Sequence, residues 1–361
     1  MGVIEADVVV VGGGVMGSAA AWELAKRGAA TVLLERFEPG HVRGASHGAS
    51  RMFRYAYPES FYVELVVRSL PLWREIESAS GTSLLAITGG VDHGDLPTLR
   101  LIAAALESQG VVGEWLEPDE AARRWPGLRF AERVLLHPQS GRLDADAAVS
   151  ALQQLAAGHG AEVRHRAPVT RIEPDAVTVG DDTYRAQRVV VTAGAWTQRL
   201  LGEHVSLPPL RVTQEQPLHF EARVDGEWPG FIHRRDAGTE PFRFVYGMRT
   251  PGEGIKVGFH HAGPECDPDR RDFTPEATRL KTLLDYVAEW VPGVDVENWT
   301  PISCTYTSTD DEDFVVDAVG NLVLAAGFSG HGFKFAPVIG RLLADLALDG
   351  TRPPERFALP G

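Results

Sequence analysis

The amino-acid sequence predicts an α/β protein in which a parallel-sheet unit is discontinuous and holds an inserted, mostly antiparallel α+β unit. Three observations carry this prediction. A glycine-rich strand-turn-helix segment opens the chain, short strands and turns fill its middle, and a second glycine-rich segment between a strand and a helix lies near its end. Since the last segment repeats the pattern of the first, both ends of the chain are expected to serve one site.

The opening segment has the order strand, glycines, helix, strand and acid. Val8 to Val11 is a β-branched apolar run, which is typical of a strand buried on both faces. In the spacing G-x-G-x-x-G, Gly12 permits a tight turn, Gly14 lets the backbone approach a pyrophosphate, and Gly17 lets helix and strand pack closely. The order as a whole predicts dinucleotide binding, with a glycine-rich turn of some other α/β protein as the alternative.

The second half of this segment supplies two further signals. A helix predicted over Ser18 to Arg27 offers amide groups and a partial positive charge to phosphates at its N-terminus. A strand over Thr31 to Leu34 then ends at Glu35. A carboxylate there can accept hydrogen bonds from ribose hydroxyls, and it disfavours NADP, whose 2′-phosphate would meet a like charge. The motif alone leaves FAD and NAD open.

Composition limits the class of protein. The chain has 361 residues, 44% of them hydrophobic and 23% charged, which is enough for two domains. A net charge of −14 argues against a nucleic-acid partner and against an anionic membrane surface. Two cysteines are too few for a disulfide framework, and neither a signal-peptide pattern nor a long apolar run is present. These observations predict a cytoplasmic protein without a membrane span.

Periodicity and breaker residues predict the elements of the first half of the chain. The expected helices are Glu59 to Ala79, which Pro71 should bend or break, then Leu96 to Gln109, Glu117 to Trp125 and Leu143 to Gly160. The expected strands are Glu162 to His165, Val169 to Glu173, Ala176 to Val179 and Arg188 to Thr192. The last strand runs into a small-residue turn, Thr192 to Trp196, which is a candidate for a second backbone approach to the dinucleotide.

The sequence pattern changes at the start of the second half of the chain. Strand-like runs between Leu210 and Phe259, separated by Gly, Pro and Asp turns, predict a separate, mostly antiparallel sheet. The elements expected after it are a helix over Pro275 to Val291 with Thr274 as its N-cap, a strand over Thr300 to Thr307, a hairpin around Val319-Gly320 and a final helix through Leu348. The period of two along the strand would place Cys304 and Tyr306 on one side.

A basic segment follows the opening motif. Arg51 and Arg54 are three residues apart, so they would share one face of a helical turn. The alternative is a solvated pair of surface charges. Near the end of the chain, the amides of the glycine-rich segment Gly327 to Phe335 could support negative charge on a second part of the ligand.

Taken together, these motifs resemble the monomeric sarcosine oxidase family, which includes N-methyltryptophan oxidase, within the glycine oxidase and D-amino-acid oxidase fold group. The resemblance covers nearly the whole chain. Besides the opening motif it rests on four segments: Ser46 to Arg54, Lys256 to His260, Cys304 to Thr307, and Gly327 to Phe335. It implies a discontinuous FAD-binding Rossmann-like domain over 1–85, 143–209 and 300–361, and a substrate domain over 86–142 and 210–299.

The resemblance also implies an activity. FAD would be attached through a thioether from Cys304 to the isoalloxazine 8α-methyl group. The substrates would be small secondary amino acids, either N-methyl or cyclic imino acids, oxidised at the C–N bond to an imine while O₂ becomes H₂O₂. The enzyme would be a monomer. Cys266 lies in a Pro/Asp-rich loop and is expected to have no role.

Residue roles follow from the matched positions. Arg54 and Lys334 match the pair that holds the substrate carboxylate, Lys256 matches a lysine that assists O₂ reduction, and Arg51 matches an arginine beside the flavin ring. Tyr246, His260 and Tyr306 match positions that orient substrate. The expected cofactor contacts are Gly12, Gly14, Val15, Met16, Gly17, Glu35, Arg36, Ser46, Ser50, Arg51, Val169, Ala193, Gly194, Trp196, Cys304, Gly327, Gly330, Gly332, Phe333 and Lys334.

Two departures from the family pattern leave the identity of the substrate amine open. Ala49 and Ser50 replace an acidic residue and a threonine, and Met248-Arg249-Thr250 borders the expected pocket. No dedicated base for the amine is evident, and His260 is a weak candidate. Three alternatives stay open: a noncovalent flavin dehydrogenase with another electron acceptor, a catalytically silent FAD-binding subunit, and, from the opening motif alone, an NAD dehydrogenase.

Overall fold

A computed structural model describes residues 2–202, 204–235, 242 and 244–359. Its strands are β1 (Val3–Val11), β2 (Thr31–Leu34), β3 (Arg51–Phe53), β4 (Leu85–Ile87), β5 (Gly90–Gly94), β6 (Glu114–Leu116), β7 (Val134–His137), β8 (Gly141–Leu143), β9 (Glu162–Arg164), β10 (Val169–Glu173), β11 (Ala176–Val179), β12 (Asp182–Val191), β13 (Arg211–Glu215), β14 (Leu218–Ala222), β15 (Gly230–Arg234), β16 (Phe244–Thr250), β17 (Gly254–His260), β18 (Val294–Pro301), β19 (Cys304–Ser308), β20 (Val315–Val319) and β21 (Leu322–Ala326).

The helices are α1 (Val15–Lys26), α2 (Ser60–Ser80), α3 (Leu96–Ser108), α4 (Pro118–Arg124), α5 (Ala145–Gly158), α6 (Thr197–Leu201), α7 (Ala277–Trp290) and α8 (Ala336–Leu348). Short 3₁₀ turns cover Gly194–Trp196, Phe333–Phe335 and Glu355–Phe357. Of these described helices, none combines the length and the apolar character needed to cross a membrane.

The first sheet is built around the opening strand. β1 lies between β12 and β2, and the parallel core of the sheet continues to β21 on one side and β9 on the other. Side chains of β1 alternate between two apolar cores, with Val8 and Val10 facing one and Val9 and Val11 the other. Helices α1, α5 and α8 pack together on the first of these faces. The predicted doubly buried strand is confirmed.

The second sheet has the order β18-β14-β17-β16-β15-β5-β7-β6 and is antiparallel except between β15 and β5. It has its own core, in which Leu218 and Phe220 of β14 pack with Ile255 and Val257 of β17. The predicted fold class, a Rossmann-like sheet with an inserted, mostly antiparallel unit, is therefore confirmed. The domain boundaries given above stay a prediction.

Two smaller sheets connect these parts. β13 pairs with β19, and β3, β8 and β4 form a three-stranded antiparallel sheet. The hairpin predicted around Val319-Gly320 forms between β20 and β21, and the final helix ends at Leu348, as predicted.

Several local predictions were wrong. Arg51 begins strand β3, so Arg51 and Arg54 do not share a helical face, and Arg54 is buried rather than solvated. Helix α2 runs through the exposed Pro71, so the predicted break is absent, while the bend given as the other outcome stays a prediction. The N-cap of α7 is Glu276, whose carboxylate accepts from two backbone amides, rather than Thr274.

The strand predicted over Thr300 to Thr307 is two strands in two sheets. β18 ends at Pro301, whose ring nitrogen has no proton to continue a ladder. The Ile302 amide then bonds to the Pro217 carbonyl, and the chain enters β19 at Cys304. This change of sheet brings Cys304 from the second sheet toward the first.

Candidate functional site

Backbone atoms form the first wall of the site, at the turn between β1 and α1. Gly12 has a φ of +102°, in the region that favours glycine. A Cβ at Gly17 would lie 1.9 Å from the Gly12 carbonyl oxygen and 2.5 Å from Thr192 Oγ1. Only glycine therefore lets α1 begin this close to the sheet, where its N-terminus borders a cavity of about 860 Å³.

Glu35, directly after β2, also lines the cavity. Its Oε2 accepts from the Gly13 amide at 2.7 Å and its Oε1 from the Phe37 amide at 2.9 Å. Burial alone would raise the pKa of Glu35, but hydrogen bonds from His41 and these amides hold the pKa below its ordinary value. The ionised carboxylate keeps lone pairs that can accept from ribose hydroxyls.

The N-terminus of α1 presents positive potential to the cavity. Its first turn contains no acidic side chain that would neutralise the helix dipole. Ser46 reaches it from a distant loop, and its Oγ accepts from the Val15 amide at 3.1 Å. Gln153, which sequence reasoning missed, also lines the cavity and donates to the Gly13 carbonyl at 2.9 Å.

A charged rim lies at the outer edge of the cavity. Asp269 Oδ1 accepts from Arg36 Nη1 at 2.8 Å and from Trp196 Nε1 at 2.9 Å, and its other oxygen contacts Arg199. No local sequence pattern indicates Asp269 or Arg199, because the loop after β17 reaches this rim only through tertiary folding. The rim joins the loop to the first sheet.

Cys304 also lies in the wall of the cavity. Its Sγ is partly exposed and lies 3.8 Å from Arg51 Nη2. Arg51 is held in place by its bonds to the Ala45 carbonyl at 2.9 Å and the Ser50 carbonyl at 2.8 Å. The thiol therefore faces the cavity beside a fixed guanidinium.

The structure brings most of the predicted cofactor contacts together around this one cavity. Its wall includes Gly12, Gly14, Val15, Met16, Glu35, Arg36, Ser46, Arg51, Val169, Ala193, Gly194, Trp196, Cys304, Gly327, Gly330, Gly332 and Phe333. Gly17, Ser50 and Lys334 are not among the lining residues. Tyr306 lines the cavity as well, whereas Lys256, Tyr246, His260 and Arg54 lie outside its wall.

Lys256 is buried on β17, with only 4% of its surface exposed. Its Nζ donates to the carbonyl oxygen of Ser50 at 3.3 Å and lies 3.4 Å from the Ser50 hydroxyl. Thr250 Oγ1 is 2.7 Å from that hydroxyl and orients it. Burial, and then the charge of Arg51, lower the pKa of Lys256 to about 7.

Three aromatic side chains lie near one another in this region: His260, Tyr306 and Tyr246. His260 Nδ1 is 3.3 Å from the Tyr306 hydroxyl, and the His260 ring stacks on Phe244 with centroids 4.4 Å apart. Burial raises the pKa of Tyr306 and of Tyr246, so both hydroxyls stay protonated at neutral pH. Burial, and then nearby His261 and Arg54, hold the pKa of His260 well below its usual value, so the imidazole is neutral.

Arg54 and Lys334 meet at Tyr57. The Arg54 guanidinium lies 4.4 Å from the centre of the Tyr57 ring, and Lys334 Nζ donates to the Tyr57 hydroxyl at 2.8 Å. Both cations are buried, and no ion pair joins either one to a carboxylate of the described residues. Burial, and then Arg54, hold the pKa of Lys334 well below its ordinary value.

Sequence reasoning missed several groups near these residues. Tyr57 and His331 complete the Arg54 and Lys334 cluster, and each lies inside or directly beside a segment that the resemblance singled out. His47 is also buried, and burial followed by Arg51 lowers its pKa to about 3. Their positions in the quoted segments were the available signal.

The fold and the cavity define a dinucleotide-binding protein, and a buried cluster of cationic side chains lies at Tyr57. A glycine cradle, a positive helix end without acidic side chains, an ionised acid after the second strand and a cavity of about 860 Å³ all fit a dinucleotide such as FAD. The two buried cations on Tyr57 fit a carboxylate.

Comparison with known proteins defines the family. The chain belongs to the family described as FAD dependent oxidoreductase (DAO), whose model matches residues 7–346. It is 35% identical to monomeric sarcosine oxidase of Bacillus sp. (strain B-0618), over 95% of this chain and 92% of that protein. It is 30% identical to N-methyl-L-tryptophan oxidase of Yersinia pestis (strain Pestoides F), over 97% of each.

The fold is also that of a solved relative. The structure resembles NikD, an unusual amino acid oxidase essential for nikkomycin biosynthesis, with a TM-score of 0.87 at 28% identity, covering 99% of this chain and 98% of that one. The predicted membership of the sarcosine oxidase family and of the glycine oxidase fold group is therefore confirmed.

Proposed function

We propose that this protein is a monomeric FAD-dependent oxidase of secondary amino acids, acting on N-methyl or cyclic imino acids. The observation that carries the proposal is the meeting of two buried cations, Arg54 and Lys334, at Tyr57. The sarcosine and N-methyltryptophan oxidases among its relatives support the same substrate class.

The net reaction is R₂CH–NHR′ + O₂ → R₂C=NR′ + H₂O₂, after which water hydrolyses the imine. Bound FAD supplies the two-electron chemistry that links amine oxidation to O₂ reduction. The glycine cradle of Gly12 and Gly14, the N-terminus of α1 and Glu35 would hold its nucleotide part. Arg51 and the segment Gly327 to Phe333 would border its ring.

Substrate binding is assigned to the cluster at Tyr57. The Arg54 guanidinium suits a carboxylate because its planar fork can donate two parallel hydrogen bonds, and Lys334 adds a point charge. The same cations disfavour a protonated amine nearby, because like charges repel in a buried site. The pocket would thus bind the carboxylate and favour the unprotonated amine that oxidation requires.

Orientation of the amine is assigned to Tyr246, Tyr306 and His260. The two protonated hydroxyls can donate hydrogen bonds, and neutral His260 is positioned by its contacts with Tyr306 and Phe244. On the oxygen side, a cationic Lys256 would stabilise negative charge as it develops on dioxygen.

The deciding experiment measures oxygen uptake and peroxide formation with a panel of N-methyl and cyclic imino acids, each paired with its decarboxylated amine. We expect turnover of acids only. Bleaching of the flavin under anaerobic conditions without oxygen uptake in air would point instead to a dehydrogenase with another acceptor. No bleaching with any member would favour a silent FAD-binding subunit.

We also propose covalent attachment of FAD through Cys304. One C–S bond would form with loss of the thiol proton and one methyl hydrogen, and the two electrons would pass to O₂. The partly exposed thiol lies in the cavity wall beside Arg51, whereas Cys266 is absent from the lining.

Acid precipitation of the holoenzyme tests this attachment. We expect the yellow colour to stay with the pellet in the wild type and in the matched control Cys266→Ala, and to enter the supernatant in Cys304→Ala. Colour that stays bound in the Cys304 variant would exclude Cys304 as the point of attachment.

A further inference from the structure

One row of residues crosses the second sheet from the surface to the buried Lys256. In the register of β18, β14, β17 and β16, Thr300 pairs with His219, His219 with Lys256, and Lys256 with Met248. Directly opposed residues of antiparallel strands have their Cβ atoms about 4.5–5.5 Å apart on one face. The flanking Leu218 and Val257 face the apolar core, so His219 and Lys256 share the opposite face.

Exposure falls along this row. Thr300 is exposed, whereas His219 is 7% and Lys256 4% exposed. Glu253, in the turn between β16 and β17, has a side chain that is 43% exposed, and its Oε2 lies 2.7 Å from His219 Nδ1. His219 therefore lies between a carboxylate in contact with solvent and a lysine that is not.

The second nitrogen of His219 has no partner among the residues that the structure describes. Its Nε2 is buried and forms no hydrogen bond with them, although a buried polar atom normally has one. A buried polar atom without a partner lowers the stability of the fold, so a role in packing alone does not account for it. The unpaired nitrogen points to a role in exchanging a proton.

We propose that Glu253 and His219 form the route by which protons pass between solvent and Lys256. The inference rests on the proposed oxidase function, in which O₂, two electrons and two protons give H₂O₂. A proton accepted at one imidazole nitrogen is released from the other, so the net charge of His219 is unchanged while the ring changes from one neutral tautomer to the other. His219 is here a positioning and relay residue that acts through Lys256.

The charges around the pair are consistent with transfer through a neutral imidazole. Lys256 faces Arg51, Cys304, Glu253 and Asp146, and it also lies within the field of His47. Burial, followed by Lys256 and Arg51, lowers the pKa of His219 to about 3. His219 is therefore neutral at rest and passes a proton on without storing it.

Proton exchange at Lys256 can be measured directly, because the sequence contains only four lysines: Lys26, Lys256, Lys281 and Lys334. In holoenzyme labelled with ¹⁵N-lysine, NMR reports exchange of each Nζ proton with water. We expect His219→Gln to slow exchange at Lys256 by roughly tenfold to a hundredfold, within the range that one positioned proton-transfer group contributes. Buried Lys334 is the internal control and should not change.

Glu253→Gln should give a smaller slowing at Lys256, and Glu221→Gln, on the exposed face of β14, should give none. Unchanged exchange at Lys256 in both His219→Gln and Glu253→Gln would overturn the proposal. Equal slowing at Lys256 and Lys334 would also overturn it, since that result indicates a general structural effect. Glu253 lies at the surface, so its variant tests the route even where a His219 variant folds poorly.

The kinetics of the reaction with O₂ give a second test of the proton route. In His219→Gln, the rate of reaction of the reduced enzyme with O₂ should fall about tenfold above pH 8 and little at pH 6, where protons are abundant. A uniform loss at every pH would contradict the route. The NMR experiment needs neither substrate nor O₂, so it decides the route even if the enzyme is not an oxidase.

Discussion

The two ends of the site are built on different principles. At the nucleotide end, Gly12, Gly17 and Glu35 come from one short segment, and backbone atoms do most of the recognition. At the other end, Lys256, Arg54 and the tyrosines come from segments far apart in the chain, and we propose that side-chain charges in buried positions decide the chemistry there. Substitutions should therefore act on cofactor retention at the first end and on rates and ligand charge at the second.

The largest expected effect belongs to Lys256→Met. Loss of the buried cation should slow the reaction of reduced enzyme with O₂ by ~10²–10³, as one charge interaction of ~3–4 kcal/mol implies. Anaerobic reduction by substrate, measured by stopped flow, should suffer less. The exposed Lys281→Met is the control. Equal losses in both half-reactions would reassign Lys256 to substrate binding or structure.

Arg54→Ala tests the charge of the pocket. Each charge-assisted contact contributes roughly 1.5–3 kcal/mol, so binding of a carboxylate inhibitor should weaken by roughly tenfold to a hundredfold. A neutral ligand of the same shape should bind almost as before. Spectral titration of the bound flavin gives both constants. A similar loss for the two ligands would mean that Arg54 supports the pocket only through packing.

Gly17→Ala tests the nucleotide end. The new Cβ would meet the Gly12 carbonyl oxygen at 1.9 Å, and overpacking of this kind costs about 1–3 kcal/mol or more. We expect a lower melting temperature and a reduced ratio of FAD to protein. Gly158→Ala, at a helical position with nothing within 4 Å, is the matched control and should be neutral or slightly stabilising. Full flavin content in Gly17→Ala would show that the cradle tolerates a side chain.

The smallest effect is a pH dependence of stability. Burial lowers the pKa of Lys256 from 10.5 to about 7. Between these values the unfolded chain binds more protons than the folded chain, so the free energy of unfolding rises with pH, by at most about 1.4 kcal/mol per pH unit. Lys256→Met should lack this rise and should exceed the wild type in stability near pH 7. Parallel curves for the two in urea unfolding from pH 6.5 to 9.5 would contradict the shifted pKa.

How much could be predicted from sequence differs between the two ends for a physical reason. The nucleotide end is a local motif, in which Gly12 to Glu35 specify strand, turn and helix through their own backbone preferences. The strand at Val169–Glu173 and the hairpin at Gly320 were predicted for the same reason. Their signals lie in neighbouring residues.

The pocket depends on contacts between segments that are distant in the chain. The meeting of Arg54 and Lys334 at Tyr57 came only from the family resemblance, since no local pattern places them together. Asp269 at the rim and the cross-strand pair of His219 and Lys256 left no local signal at all, because register between strands is a tertiary property. The helical turn predicted at Arg51 failed because pairing with β8 imposes strand geometry there.

The position of β1 in the first sheet has a consequence for protein synthesis. One neighbour, β2, follows it closely, but the other, β12, begins only at Asp182. During translation the apolar strand Val8–Val11 therefore keeps an unpaired edge until about half of the chain has left the ribosome. Such an edge is prone to aggregation and to capture by chaperones. The yield of folded protein is thus expected to respond to the expression temperature and to the chaperone supply of the host.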